Sequence, residues 1–290
     1  MFLRECKLGR TIKWTEARIA KAIADGYGQG VGANYKPWLE VQMLSSQGVS
    51  HRACSLKTGR PHHLLSNVEL ALFLALDWQQ DIVDIREQYP LDRDLTRTVA
   101  LELGIRHPCY PDTHVPTVMT VDFLVTRLIQ GQEHLEAFNA KTMTEAENPK
   151  SLEKLEIQRA YFAQLDIPHH LVFDMDIPKQ QIENLRWIND AIPRDKEREP
   201  YAGYWDEMAE RMDNFLRPEM NGFKTLGTIC DQFDADIAQK AGTGIRAVRI
   251  LMAKHFLVPE LDSPDLLMAP VTRFHMAARA GTLRVVGGRK

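Results

Sequence analysis

Apolar and polar positions alternate between helical and strand spacing along the first 175 residues, and that alternation predicts the elements there. Trp14 to Asp25 has the helical pattern, with Thr15 at the start and Gly26 at the end. Trp38-Leu39-Glu40-Val41-Gln42-Met43 is strand-like within a turn-rich segment, 38–60, and Lys57-Thr58-Gly59-Arg60 is a basic turn. From Ser66 to about Trp78 the chain is apolar nearly all round, which predicts a buried helix. Ile82 to Tyr89 is a strand stopped by Pro90, and 92–116 is loop with a short helix. Strands over about 118–128 and 134–142 meet at a Gln130-Gly131-Gln132 turn. Asn148-Pro149 opens a helix over 150–165, and Ile167 to Phe173 is a further strand.

After Asp174 the pattern turns helical. A helix over 178–190 precedes a charged break from Pro193 to Pro200. Thr225 to Phe233 and Thr243 to Lys254 are further helices, the second offering Arg246, Arg249 and Lys254 as cations. Phe256 to Leu261 and Leu267 to Phe274 form a small strand pair. Helix, turn, basic helix and strand pair is the order of a winged helix-turn-helix, and equally that of a three-helix adaptor. The order α-β-β-β-α-β over 66–174 is that of a restriction-endonuclease-like core. The chain therefore divides into an α/β catalytic domain, 1–176, and a mainly helical, winged-helix-like domain, 177–290, that binds a partner or DNA.

Composition narrows the class. Hydrophobic residues make up 44% and charged residues 26%, as in soluble globular proteins. No apolar run approaches the roughly 18 residues of a membrane span, and the start lacks the apolar core of a secretory signal. The four cysteines are dispersed, which favours reduced thiols in a cytoplasm. The net charge of −3 does not advertise nucleic-acid binding. Its distribution does more. Residues 1–67 carry ten Lys/Arg against four Asp/Glu, and 271–290 carry five against none.

Several motifs point to no chemistry. Gly26-Tyr27-Gly28-Gln29-Gly30-Val31-Gly32 follows a helix, not a strand, and no Gly-Lys-Ser/Thr follows it, so it is a loop rather than a nucleotide cradle. His107, Cys109 and His114 lie among prolines with no fourth ligand in view, which disfavours zinc. His62-His63 point in different directions and default to a structural or phosphate-facing role.

One constellation does carry chemistry. Glu69 interrupts the apolar helix, Asp122 the apolar strand, and Asn139-Ala140-Lys141 closes the next strand. Phosphodiester hydrolysis needs a cation to stabilise developing charge and to acidify a water. Mg²⁺ takes one or two carboxylates and keeps several waters. Asp122 and Glu69 supply the carboxylates, and Mn²⁺ substitutes for Mg²⁺. Asn139 and Lys141 are two apart on a strand and face the same way. Asn139 then offers an amide oxygen and Ala140 a carbonyl, while Lys141 points at water or phosphate. A lone acid in an apolar element is more often a capping or edge residue; in this combination the nuclease and structural readings stand level.

Longer motifs tip the balance. Gly26-Tyr27-Gly28-Gln29-Gly30 with Tyr35-Lys36-Pro37-Trp38-Leu39, Ser50-His51-Arg52 with Lys57-Thr58-Gly59-Arg60, His62-His63-Leu64-Leu65-Ser66 through Glu69-Leu70-Ala71, Asp84-Ile85-Arg86-Glu87-Gln88 and Leu152-Glu153-Lys154-Leu155-Glu156 resemble the TnsA family. That family is the endonuclease subunit of heteromeric Tn-seven-type transposases. The resemblance covers roughly residues 14–190 and is only in outline beyond. It implies that Glu69, Asp122 and Lys141 match the catalytic glutamate, aspartate and lysine. Asn139 stands where the family uses glutamine; Gln79 stands where a relative carries an acid and is assigned no ligand role. It further implies cleavage of the 5′ strands at transposon ends, beside a TnsB-like transposase that cuts the 3′ strands. A TnsC-like ATP-dependent regulator would be held by the C-terminal part. The rival expectations are a catalytically silent adaptor and a stand-alone restriction-type nuclease.

Overall fold

The computed structural model describes residues 13–43, 49–194 and 197–277. The basic tail residues Arg279, Arg284, Arg289 and Lys290 lie outside them. The chain forms two compact units, residues 1–182 and 183–290.

The first unit opens with α1 (Glu16–Ala24), whose start Thr15 caps by accepting the Arg18 N–H. Ile19 and Ala22 of α1 pack with Trp38 and Val118. The segment after Trp38 is not a strand: Val41–Met43 is a single 3₁₀ turn. The Trp38 N–H bonds the Gln88 carbonyl at 3.2 Å and the Val41 N–H the His63 side chain, but Pro37 before them has no N–H to extend a ladder. A hairpin of β1 (His51–Cys54) and β2 (Pro61–Leu64) turns through the basic Lys57–Arg60 stretch.

The helix α2 (Asn67–Trp78) starts at Ser66, whose hydroxyl accepts the Glu69 N–H. Then come β3 (Ile82–Pro90), α3 (Arg93–Glu102), β4 (Thr120–Ile129), β5 (Gln132–Lys141), the short α4 (Met143–Ala146), α5 (Pro149–Gln164) and β6 (His169–Phe173). The sheet order is β3-β4-β5-β6. The first three strands are antiparallel, and β6 returns parallel to β5 after the α5 crossover. Phe123 of β4 meets Phe73 of α2, while Leu124 joins a cluster with Val99 of α3 and Ile157 and Phe162 of α5. The central strand is therefore covered on both faces.

The outer edge of β3 is closed by side chains and one backbone group of the preceding segment. Arg60 donates to the Ile85 carbonyl, Tyr35 to that of Glu87 and the Trp38 N–H to that of Gln88. Beneath them Glu87, fully buried, takes both ends of the Arg60 guanidinium at 2.8 and 2.6 Å and His62 Nδ1 at 2.8 Å. His62 is thus a packing residue, its other nitrogen 2.8 Å from Thr58. The glycine loop fits against the same region. A Cβ on Gly30 would lie 2.4 Å from the Asn34 carbonyl oxygen, and its φ of +93° is already left-handed. Further along, His107 is held by Thr96 and the Pro108 carbonyl.

In α6 (Lys179–Asn189) the chain passes from the first unit to the second, which then contains α7 (Tyr204–Leu216), α8 (Leu226–Asp236), α9 (Thr243–Ala253) and the antiparallel pair β7 (Leu257–Pro259) and β8 (Phe274–Met276). The second strand starts where the sequence pattern ends it, at Phe274. Asp234 clamps the α8–α9 turn by accepting the N–H groups of Gly242 and Gly244 at 2.7 Å each. The expectation that α9 offers its cations outward is corrected here. Seven of its residues are buried and none is exposed. Arg246 pairs with Glu197 over the Trp205 ring, Arg249 donates to the Trp187 carbonyl, and Lys254 pairs with Asp206.

Candidate active site

Four elements converge at one end of the sheet. The end of β3, the start of β4 and the end of β5 lie side by side there, with the first turn of α2 above them. Asp122 is the third residue of β4, and Lys141 the last of β5. The β4–β5 ladder runs only as far as Phe123↔Phe138. Beyond it the Asp122 carboxylate replaces the backbone partner: Oδ2 accepts the Ala140 N–H at 2.8 Å. The same oxygen takes the Lys141 ammonium at 2.9 Å, which also donates to the Ala140 carbonyl at 2.9 Å. Asp122, Ala140 and Lys141 are therefore one unit.

Glu69 is the third residue of α2 and reaches back over its own N-terminus. Its Oε2 accepts the Leu65 N–H at 2.9 Å and its Oε1 the Ser66 hydroxyl at 3.3 Å. Burial pushes its carboxyl up to about 7, and the Asp122 charge pushes the same way; the Leu65 N–H, Lys141 and Ser66 oppose them. Burial works against charge on Lys141, but Asp122 and Glu69 outweigh it and hold its pKa above the usual lysine value. Asn139 is buried with its amide oxygen 2.7 Å from His169 Nε2 on β6. Burial, then His170, lowers His169 to about 4 against the pull of Asp122, so His169 is neutral near pH 7.

The structure thus brings Glu69, Asp122, Ala140 and Lys141 into one electrostatic group, with Asn139 beside it. Besides His169, it shows two more residues that sequence reasoning missed, Gln88 and Thr120. Gln88 is buried, and its φ of +47° is left-handed within a strand. Its side-chain amide donates to Glu69 Oε2 at 3.3 Å and accepts from Thr120 Oγ1 at 3.2 Å. Thr120 is two residues before Asp122, and its carbonyl is held by Gln158 of α5 at 2.7 Å. Gln88 therefore ties the helix bearing one acid to the strand bearing the other. The sequence does not single it out, because β3 already carries Asp84, Arg86 and Glu87 as polar residues.

The donor set is one of hard oxygens: two carboxylates, an amide and a backbone carbonyl. Among the described residues no three His, Cys, Asp or Glu side chains gather in a group suited to a metal ion. Such a set suits Mg²⁺, which keeps much of its water, and not zinc. The Lys141 ammonium rests between Asp122 and Ala140 oxygens, so this point of the fold already accommodates positive charge.

The family described as TnsA-like endonuclease N terminal matches residues 79–174, and that described as TnsA endonuclease C terminal matches 176–258. The transposon Tn7 transposition protein TnsA of Escherichia coli is 36% identical over 249 residues, covering 84% of this chain and 86% of that protein.

Proposed function

Because the chain belongs to the TnsA family of transposition endonucleases, we propose that it hydrolyses the 5′ strands at transposon ends in a metal-dependent reaction. The observation that carries this reading is the shared carboxylate, ammonium and carbonyl of Asp122, Lys141 and Ala140, with Glu69 facing them. Glu69 and Asp122 would hold Mg²⁺ or Mn²⁺, with the Asn139 amide and the Ala140 carbonyl as further oxygens. When bound, the cation supplies charge stabilisation and a more acidic water. Lys141 orients that water or meets the charge developing on the phosphate. Gln88 and His169 keep Glu69 and Asn139 in place. On this reading the first unit has a restriction-endonuclease-like core and the second a winged-helix-like arrangement. A TnsB-like transposase cuts the 3′ strands, and a TnsC-like regulator docks on the C-terminal part. The buried α9 favours a protein-facing role for that part. No helix among the described residues is long and apolar enough to cross a membrane.

Cleavage of end DNA with the partner transposase should stop on chelation and return with Mg²⁺ or Mn²⁺. Glu69→Gln should stay inactive at every metal concentration. Full cleavage in chelator would remove the metal-dependent reading.

A further inference from the structure

Arg106, Lys150 and Lys154 line one groove of about 360 Å³, between the loop after α3 and the first two turns of α5, floored by Tyr110 and Ile157. All three are exposed, and none has an ion-pair partner among the described residues. Glu153 is the single acid in the lining. This is an unbalanced arrangement. Lys150 sits in the first turn of α5, where a cation is disfavoured by the aligned peptide dipoles, and Lys154 one turn on and Arg106 add two like charges. By contrast, Arg159 of the same helix pairs with Glu156, and Arg97 of α3 with Asp94. Three convergent cations against one acid are what a phosphate-binding surface presents.

The α5 wall of the groove starts toward the reacting end of the sheet, on the face that α3 and α5 cover. Arg106 runs beside α3: its neighbours Ile105 and His107 bond the Ala100 carbonyl and the Thr96 hydroxyl of that helix. α5 follows Lys141 through α4, so its N-terminus is at the end of β5, beside the ends of β3 and β6. A duplex whose scissile phosphate meets Asp122 and Lys141 would place its flanking backbone along this end.

We propose that Arg106, Lys150 and Lys154 form a cradle for backbone phosphates of duplex DNA flanking the scissile bond. The proposal rests on the nuclease reading of the adjacent site and extends it to a binding surface. The contacts are to phosphate only, so they confer affinity without sequence preference.

The test is binding of a labelled duplex of about 30 base pairs by the full chain, in Ca²⁺, across roughly 50 to 200 mM salt. The variant is Arg106→Gln/Lys150→Gln/Lys154→Gln; all three positions are exposed, so the fold should persist and an unchanged melting curve checks it. Each lost phosphate contact lowers the log–log salt slope by about 0.9. The expected result is a slope smaller by about 2 to 3 and affinity down about tenfold or more at low salt, with Arg159→Gln unchanged. An unchanged slope overturns the proposal, as does an equal loss in Arg159→Gln or a wild type that does not bind duplex at all. Binding is read without cleavage. Failure of the nuclease reading, seen as Asp122→Ala that still cuts, is therefore a separate outcome.

Discussion

Glu69 is the residue where function and stability oppose each other. Its folded pKa, pushed up to about 7, exceeds the ordinary glutamate value, so the folded state binds the proton more tightly than the unfolded state. Its contribution is then present below about pH 4.5 and is lost as pH rises through about 7. In chelator, the wild-type melting temperature should fall between about pH 5 and 8 more steeply than that of Glu69→Gln. At about pH 8 the variant should be the more stable, by on the order of a few kcal/mol. Parallel melting curves across that range would show that Glu69 is not held at this cost. Gln88 acts through Glu69. Gln88→Leu should lower cleavage about 10- to 100-fold and raise the metal concentration needed for half-maximal thermal stabilisation, the usual scale for a group that orients a ligand. Gln88→Gly, which suits the left-handed backbone but lacks the bridge, should show the same metal shift. Normal metal dependence in both would limit Gln88 to packing.

At the scale of elements, the edge of β3 shows what holds the site's frame. Burial disfavours charge on Glu87, but His62 and Arg60 outweigh it and keep its carboxyl well below the usual range. Its stabilisation is therefore present above about pH 4.5 and lost as pH falls below it. Glu87→Gln leaves Arg60 buried without its partner and should destabilise the first unit by about 3–5 kcal/mol, read by denaturant melts. A loss under about 1 kcal/mol would mean that the N-terminal segment does not depend on this ion pair. Much of this frame was legible beforehand. The caps at Thr15, Ser66, Asn148 and Thr225 and the apolar runs of α2, β4 and β5 mark their elements locally. The hairpin partner β2 and the 3₁₀ turn at Val41–Met43 were not, since both depend on what the chain meets in space. The same holds for α9: its arginines look like a basic face in sequence, yet Glu197, Trp205 and Trp187 take them up. Arg246→Gln should lower the melting temperature of the second unit, by about 1–3 kcal/mol equivalent, and leave duplex affinity unchanged. A loss of affinity without a loss of stability would restore a DNA-facing role to α9.

Across the whole molecule, charge is sorted rather than abundant. The net charge is −3, yet Arg106, Lys150 and Lys154 gather in one groove of the first unit against the single acid Glu153, while in the second unit Arg246 and Lys254 are paired internally with Glu197 and Asp206. That division suits a subunit that meets DNA at its catalytic unit and proteins at its other. The acids and the lysine of the site could be read from sequence because they interrupt apolar elements. Their supports, Gln88, Thr120 and His169, could not, because they are polar residues of strands whose partners are set only by how the strands and α2 pack in space. The most direct measurement is strand-specific cleavage of transposon-end DNA in Mg²⁺ with the partner transposase present, comparing wild type with Asp122→Ala. The account expects the 5′-strand cut to disappear while the 3′-strand nick persists. Both cuts unchanged would make Asp122 structural, contradict the nuclease assignment and leave the chain as an adaptor between its partners.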